Sequence, residues 1–338
     1  MSHADRIFKS GQFILGTPIV QFEEAFARYL KVKHCISCGN GADALEISLA
    51  ALGIGPNDEV IVPSISWLST AYAVSNVGAK VVFVDIHPNT YNLDVTKLGN
   101  AIGEKTKAVI AVHLFGNTAN ISSIAKVCKD HKIALIEDCA QAHGSDNAGQ
   151  FGDVATFSFY PTKTLGALGD GGAVATNSLT LARSIRSLAN YGFDEGGFPK
   201  QRGRNSRLDT IQAVWLSENL NRLEEYVFRR NQIAKYYSET LGTFISPQLV
   251  LSKSGYYAYT FTSNQRDALK DYLKSRTIET KVYHSSPLPY LPAYQNEQSY
   301  FPASSVFCEQ NLSLPIWPEL TDEEVNYVTE SIKSFFKK

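Results

Sequence analysis

The first two thirds of this 338-residue chain alternate short runs of β-branched residues with stretches of helical periodicity. Such alternation is typical of a mostly parallel sheet, because each parallel strand needs a helical crossover before the chain returns to the same edge. Strands are predicted at His34–Ser37, Glu59–Val62, Lys80–Val84, Ala108–His113, Ile133–Glu137, Ala155–Phe159 and Gly172–Thr176. The pattern therefore predicts an α/β fold with helices on both faces of one central sheet.

Helical patterns separate several of these strands, and the character of the chain changes near residue 242. The predicted helices are Ala42–Leu52, Ser66–Val77, Ile121–Lys129, Leu179–Asn190 and one long helix from about Leu208 to Leu241. The later predicted elements are a strand at Tyr256–Ser263, a helix at Asp267–Ser275, a loop at Ser285–Tyr300 and a last helix at Asp322–Phe336. We therefore expect a large domain over residues 1–242 and a smaller α+β domain over residues 243–338.

The balance of charge excludes two classes of partner. The chain has 32 basic and 33 acidic residues, interleaved along its length, and a formal net charge of −1. No extended positive field is available to hold a nucleic-acid backbone or an anionic membrane.

No apolar run approaches the roughly 18 residues of a membrane helix, and the first residues carry an acid rather than an apolar segment. We therefore expect a cytoplasmic protein.

The cysteines do not form the pattern of a disulfide framework. They are five in number, an odd count, and they are scattered through a long chain. Cys35 and Cys38 form one CxxC pair with no second pair to complete a metal site. We expect both to be structural free thiols.

Three segments of chemical interest follow the carboxyl ends of predicted strands, where open α/β sheets bind ligands. In the first, Gly41 and Ala42 open a helix, so free backbone N–H groups and the positive helix end are available to a phosphate. In the second, an apolar strand ends at Asp138, whose carboxylate suits either a protonated pyridine nitrogen or a helix cap.

In the third segment, Lys163 lies between a strand and the glycine-rich turn Gly169–Gly172. Most loop lysines are solvated, but Phe159 and Tyr160 nearby favour partial burial. Burial lowers the pKa of a lysine and prepares its amine for imine chemistry.

These segments are part of a longer series of motifs. The series comprises Phe13-Ile14-Leu15-Gly16, Phe22 to Ala27, Gly39 to Leu45, Gly55 to Ile61, Gly78-Ala79, Phe83-Val84-Asp85, Val112 to Gly116, the Asp138 and Lys163 segments, Leu312 to Pro315 and Glu319 to Glu324. In these motifs the chain resembles, over nearly its whole length, the DegT/DnrJ/EryC1/StrS sugar aminotransferases of pyridoxal-phosphate (PLP) fold type I. The resemblance implies a PLP enzyme, with pyridoxamine phosphate as its aminated form, that moves an amino group from glutamate to a nucleotide-linked keto sugar for amino-sugar biosynthesis.

The resemblance also implies roles for residues around the cofactor ring. Lys163 would carry the cofactor as an imine and move a proton between substrate and cofactor carbons. Asp138 would pair with the ring nitrogen, and Gln141 would bind the phenolic oxygen. Trp67 would stack on the ring, although a core position on an amphipathic helix suits this residue equally well.

A second group of residues would hold the cofactor phosphate. By resemblance, these are the backbone of Gly41 and Ala42, the hydroxyl of Ser158, and Asn205 from the neighbouring subunit. Since Asn205 would act across a subunit boundary, the resemblance implies a homodimer with shared active sites.

The position of the keto group is open between two alternatives. Similar chains with Asn-Ser-Arg before Leu-Asp tend to aminate 3-keto sugars, and those with Asn-Tyr-Arg tend to aminate 4-keto sugars. This chain has Asn205-Ser206-Arg207. Ser206 would then shape the wall against the sugar, or it would simply cap the long helix. We expect a dTDP- or UDP-linked 3-keto sugar, with a 4-keto sugar as the alternative.

Alternative functions, and one difference from the similar chains, also follow from the residues. Lys163 argues against the similar sugar dehydratases, which have histidine there, and the alternative outside enzymes is a catalytically silent PLP- or sugar-binding regulatory protein. The small domain has Tyr283-His284-Ser285 where the similar chains often have His-Tyr-Pro. We assign no catalytic role to His113 or His143, since each suits a hydrogen-bonded histidine near the sheet edge.

Overall fold

A computed structural model of the protein describes residues 3–118, 120–194, 196–294 and 300–337. Its strands are β1 (His34–Cys38), β2 (Glu59–Pro63), β3 (Lys80–Val84), β4 (Thr106–Val112), β5 (Ala134–Asp138), β6 (Val154–Ser158), β7 (Gly172–Thr176), β8 (Ser246–Pro247), β9 (Tyr259–Thr262) and β10 (Asn311–Leu314). Its α-helices are α1 (His3–Ser10), α2 (Thr17–Leu30), α3 (Gly41–Ala51), α4 (Leu68–Asn76), α5 (Val95–Ala101), α6 (Ile121–His131), α7 (Leu179–Ala189), α8 (Thr210–Leu220), α9 (Leu223–Leu241), α10 (Arg266–Ser275), α11 (Pro302–Gln310) and α12 (Asp322–Phe336).

The first seven strands form one sheet in the order β1-β7-β6-β5-β4-β2-β3. Strands β3, β2, β4, β5 and β6 run parallel, whereas β7 is antiparallel to both of its neighbours, β6 and β1. The predicted mostly parallel sheet is confirmed, and its seven predicted strands agree closely with the observed ones.

Both faces of this sheet are covered by helices. Adjacent residues of one strand point to opposite faces, so they enter different core clusters. Cys35 packs in the cluster that contains Phe22 and Phe26 of α2, whereas Ile36 packs in the cluster that contains Leu45 of α3. The strands are therefore buried on both faces, as parallel strands usually are.

The prediction of one long helix from Leu208 to Leu241 is wrong. Helix α8 ends at Leu220, α9 begins at Leu223, and the two intervening residues form a turn. Apolar residues on both sides of the turn keep nearly helical spacing, which explains the prediction. Leu220 and Leu223 both pack against the large sheet, while Ile233 farther along α9 packs in the core of the smaller sheet. Helix α9, without α8, therefore extends from one core into the other.

The C-terminal part forms a separate three-stranded antiparallel sheet, in the order β10-β9-β8. Its core includes apolar side chains of α9, α10 and α12, such as Tyr237, Leu269 and Val328. Helix α12 begins with a capping box between Thr321 and Glu324. The α+β composition expected of the C-terminal part is confirmed. The predicted loop at Ser285–Tyr300 contains a short 3₁₀ turn at Leu288–Tyr290, and its residues 295–299 lie outside the described part.

Within the described ranges, none of the helices combines the length and apolar character needed to span a membrane.

Candidate active site

The sheet brings the predicted site residues to one edge, because the carboxyl ends of parallel strands lie together. Asp138 is the last residue of β5, and Ser158 is the last residue of β6. Ser158 and Cys38, at the end of β1, both pair with Gly172 of β7. The turn from β1 into α3 is therefore next to Ser158.

This turn forms a cradle at the N-terminus of α3. The Asn40 side chain caps the helix by accepting a hydrogen bond from the Asp43 N–H at 2.8 Å. Gly41 approaches Ser158 so closely that a Cβ atom on residue 41 would lie 2.7 Å from the Ser158 Cβ. Only glycine fits there. Since the first N–H groups of a helix lack intrahelical acceptors, those of Gly41 and Ala42 are suited to bind an anion.

Asp138 is a buried carboxylate whose position is fixed by two donors. Its Oδ2 accepts from the Thr70 hydroxyl at 2.9 Å, and its Oδ1 accepts from the Ala140 N–H at 3.1 Å. Burial raises the pKa of Asp138, while these two donors and the Lys163 amine oppose the rise. A carboxylate held in this way is not capping a helix. It is available to pair with a cationic ring nitrogen.

Lys163 lies on the loop after β6, and its amine is close to an aromatic ring. The Lys163 Nζ is 4.7 Å from the centroid of the Tyr257 ring. Burial lowers the pKa of Lys163, and Tyr257 and Asp138 partly oppose that change. A lysine with a lowered pKa has more of the free amine that attacks a carbonyl.

Gln141 is oriented by a backbone group. Its Oε1 accepts a hydrogen bond from the Phe115 N–H at 2.6 Å. The amide oxygen is therefore held, and the NH₂ end remains as a donor toward a ligand oxygen. This orientation suits the predicted bond from Gln141 to a phenolic oxygen.

Trp67 is not a core residue. It immediately precedes α4, and 62% of its surface is exposed. The alternative of a core tryptophan on an amphipathic helix is therefore wrong, and the predicted helix at Ser66–Val77 is shorter at both ends. An exposed indole just after the β2 edge is suited to cover a planar ring.

Asn205 and Ser206 lie in the segment before α8 and have different environments. Asn205 is exposed and forms a single backbone bridge with Asn190. Ser206 is only 2% exposed. Its hydroxyl accepts from the Gly39 N–H at 2.9 Å and donates to Asp43 at 2.6 Å.

The role of Ser206 in shaping the wall against the sugar stays a prediction. Its role as a helix cap is wrong, since the N-cap residue of α8 is Asp209. Instead, Ser206 fixes the turn that leads into the Gly41 cradle.

The two histidines that were given no catalytic role lie in the core. His113 Nε2 is 2.8 Å from Glu137, whose carboxylate also accepts from the N–H groups of Gly149, Phe151 and Gly152. His143 packs on phenylalanine rings, its ring nitrogens have no protein partner among the described residues, and burial lowers its pKa to about 3. His113 fits the predicted hydrogen-bonded histidine, and His143 does not.

Cys35 and Cys38 are buried free thiols, and burial raises the pKa of both. In the described ranges, the one cluster with metal-ligand geometry comprises His113, Glu137 and Cys139. Its Glu137 carboxylate is already satisfied by protein donors.

Three residues at the site were not identified from the sequence. Thr70 supports Asp138, Phe115 orients Gln141, and Tyr257 contacts Lys163. Tyr257 is distant from Lys163 in the sequence and lies in a tyrosine-rich segment that resembles an ordinary strand. No local pattern distinguished it.

Comparison with known proteins agrees with this geometry. The family model of the DegT/DnrJ/EryC1/StrS aminotransferase family matches residues 1–333. A solved DegT DnrJ EryC1 StrS aminotransferase from Brucella abortus has a TM-score of 0.96 and 38% identity, with 99% of this chain and 94% of the other covered.

Three curated relatives cover the chain almost completely. The pleiotropic regulatory protein of Geobacillus stearothermophilus is 38% identical, with 98% of this chain and 93% of the relative covered. The UDP-2-acetamido-2-deoxy-3-oxo-D-glucuronate aminotransferase of Pseudomonas aeruginosa is 38% identical, with 97% and 93% covered. The dTDP-3-amino-3,6-dideoxy-alpha-D-galactopyranose transaminase of Aneurinibacillus thermoaerophilus is 40% identical, with 98% and 93% covered. The predicted resemblance is confirmed, and the chain belongs to the DegT/DnrJ/EryC1/StrS aminotransferase family, whose aminotransferases use PLP.

Proposed function

We propose that this protein transfers an amino group from glutamate to the ketone of a nucleoside-diphosphate 3-keto sugar. The observation that carries the proposal is the arrangement of a partly buried lysine amine and a buried, doubly hydrogen-bonded carboxylate at one sheet edge, beside a helix N-terminus. Lysine, carboxylate and anion cradle are the three groups that a pyridine aldehyde with a phosphate arm requires.

The residues present fit PLP. Because residue 41 is glycine, the N-terminus of α3 lies directly against Ser158. The backbone of Gly41 and Ala42 and the Ser158 hydroxyl would therefore hold the phosphate together. Asp138 would pair with the ring nitrogen and Gln141 with the phenolic oxygen, while Trp67 would cover the ring. When bound, the cofactor supplies an electron sink for the carbon that loses or gains a proton.

Lys163 would perform two tasks in this site. Its amine would attach the cofactor, and after release it would act as the base and acid that moves a proton at the reacting carbon. The lowered pKa of Lys163 favours both tasks, because a fully protonated lysine neither attacks a carbonyl nor accepts a proton.

The names of two relatives support the 3-keto assignment. The Pseudomonas aeruginosa relative acts on a 3-oxo sugar linked to UDP, and the Aneurinibacillus thermoaerophilus relative is a transaminase named for a dTDP-linked 3-amino sugar. These names support the assignment independently of Ser206, whose hydroxyl is hydrogen-bonded to Gly39 and Asp43.

The substrate is tested by regiochemistry. Purified protein is given dTDP- and UDP-linked 3-keto and 4-keto sugars with glutamate, and the new C–N bond is located by NMR. We expect amination at C3. Amination only at C4 would overturn the 3-keto assignment and leave the aminotransferase function intact.

A second candidate function is regulatory, and the name of the Geobacillus stearothermophilus relative favours it. A regulatory protein would bind the cofactor or the sugar without turnover. If purified protein with bound PLP shows no glutamate-driven change of its cofactor spectrum, the regulatory function is the better one.

We further propose a homodimer, because an exposed apolar face lies beside the Lys163 loop. This face comprises Phe13, Leu15, Leu168 and Trp215, which are 49%, 45%, 59% and 42% exposed. It is ordered by local hydrogen bonds, such as that from Trp215 Nε1 to the Gly166 carbonyl at 3.1 Å. Apolar faces of this kind mark association sites. The exposed Asn205 would reach the partner's phosphate cradle.

A charge on this face should dissociate the dimer. We expect Leu168→Glu to sediment as a monomer and to lose bound PLP on dilution, since a shared site is complete only in the dimer. Leu251→Glu, at a residue that is 69% exposed in another loop, is the matched control and should remain dimeric. A wild-type monomer that keeps full activity in sedimentation experiments would exclude the shared site.

We also propose that the protein acts in the cytoplasm, where free thiols such as those of its five buried cysteines are usual.

We place the division between its large and small domains after residue 242, just beyond the end of α9 at Leu241.

A further inference from the structure

A tyrosine of the small domain lies against the reactive amine. The Lys163 Nζ is 4.7 Å from the Tyr257 ring centroid, within the range of a cation–π contact. The neighbouring Thr162 contributes a second contact, since its hydroxyl is 3.4 Å from the Tyr257 hydroxyl. The Asp138 carboxylate, by contrast, is engaged by Thr70 and Ala140. The Tyr257 ring therefore contacts the lysine amine directly, and Asp138 acts on that amine through its charge.

The Tyr257 ring is held in a fixed position. The backbone N–H of Tyr257 donates to the Phe115 carbonyl at 3.1 Å, and the backbone N–H of Phe115 donates to the Gln141 side chain. Phe115 is fully buried and has a positive φ of 59°, so its two backbone groups point in directions that an ordinary strand or helix would not provide. The Tyr283 ring packs on both, with centroids 5.7 Å from Tyr257 and 5.6 Å from Phe115.

We propose that the Tyr257 ring binds the Lys163 ammonium through a cation–π contact whenever this lysine is released from the cofactor. The proposal rests on the assignment of Lys163 as the cofactor lysine. Phe115 would fix the position of the Tyr257 ring relative to the Gln141 amide, since its backbone is hydrogen-bonded to both residues. Tyr283 would act as a positioning residue that keeps the Tyr257 ring from rotating.

The surroundings of Lys163 explain why its ammonium form needs an aromatic contact. Burial disfavours the ammonium, and Asp138 favours it. His143 is held neutral by burial, which lowers its pKa to about 3. The Arg230 guanidinium donates to the carbonyls of Tyr256 and Ile316 and places a positive charge near Tyr257 and Tyr283. An aromatic face offsets burial without adding a full negative charge.

The experiment measures the pKa of Lys163 in the full-length protein loaded with pyridoxamine phosphate, in which this lysine is free. The rate of labelling by trinitrobenzenesulfonate is followed against pH, with the modified peptide identified by mass spectrometry. We expect Tyr257→Phe to match the wild type. Tyr257→Leu should lower the pKa by about half a unit to 1.5 units, the shift expected when a cation–π contact is lost.

The matched control removes a cation–π contact elsewhere. Tyr226→Leu abolishes the contact in which the Arg222 guanidinium lies 4.8 Å from the Tyr226 ring centroid, and it should leave the Lys163 profile unchanged. Because Tyr257→Leu also alters packing, a second series replaces Tyr257 by phenylalanine with one, two or three ring fluorines. Fluorination weakens the ring face at nearly constant volume, so the Lys163 pKa should fall stepwise.

A Lys163 pKa that is flat across the fluorinated series, or that rises in Tyr257→Leu, would overturn the proposal. Neither labelling measurement uses a nucleotide sugar. An incorrect assignment of the sugar substrate would therefore leave the test of the Tyr257 proposal unchanged. Borohydride fixation of PLP on Lys163 in every variant separately tests whether Lys163 is the cofactor lysine.

Discussion

Replacing Lys163 by alanine should abolish turnover and the borohydride-reducible link between the cofactor and the protein. The reaction needs a primary amine at this point, both to attach the cofactor and to move the proton, and alanine supplies neither function. We expect a loss of at least about 10³-fold in kcat, the range in which a residue with both nucleophilic and acid–base roles falls. The link is measured by mass spectrometry after reduction.

The matched control is Lys281→Ala. The Lys281 amine also lies over a tyrosine, 4.9 Å from the Tyr283 ring centroid, but on the exposed side of the small domain. This variant should keep the reducible link at Lys163. A Lys163→Ala protein with full activity would remove the central assumption of the mechanism.

The fold was largely predictable because strand and helix periodicity is a local property of the chain. The predicted strand at Ile133–Glu137 differs from β5 by one residue at each end, and Asp138 lies at the strand end as the pattern indicates. The same local reasoning failed at Leu208–Leu241. Periodicity alone does not separate one long helix from two helices joined by a short turn, because the apolar stripe continues across the turn.

The supporting contacts of the site could not be predicted, because they join residues distant in the sequence. Ser206 lies 167 positions from Gly39, and Tyr257 lies 95 positions from Thr162. A serine a few positions before a helix has the same local appearance whether it caps that helix or binds another segment. Tertiary packing decides between the two, and here it ties Ser206 to the cradle.

Trp67 illustrates the opposite case, in which the sequence offered two equal alternatives and exposure decides between them. A tryptophan near an amphipathic helix is usually packed, but here α4 begins one residue later and the indole remains 62% exposed. The stacking role of Trp67 therefore stays a prediction, whereas its role as a core residue is excluded.

Replacing Asp138 by asparagine should lower kcat by about 10²- to 10⁴-fold while the protein remains folded. Asparagine has nearly the same shape, and its amide oxygen is still able to accept from the Ala140 N–H. The negative charge is lost, however. A carboxylate about 3 Å from a ring cation contributes several kcal/mol at an effective dielectric near 20, and each 1.4 kcal/mol corresponds to about tenfold in rate.

Thr70→Val supplies the graded comparison, because it keeps the Asp138 charge and removes one donor to it. Burial raises the pKa of Asp138, and the Thr70 hydroxyl opposes that rise by stabilising the carboxylate. Without the hydroxyl, the pKa rises further, so the carboxylate is protonated and its function lost at a higher pH. We therefore expect the acid limb of the kcat/KM profile to move to higher pH in Thr70→Val, with a smaller loss of kcat than in Asp138→Asn. An Asp138→Asn enzyme that is folded, loaded with cofactor and as active as the wild type would show that the ring nitrogen needs no charged partner here.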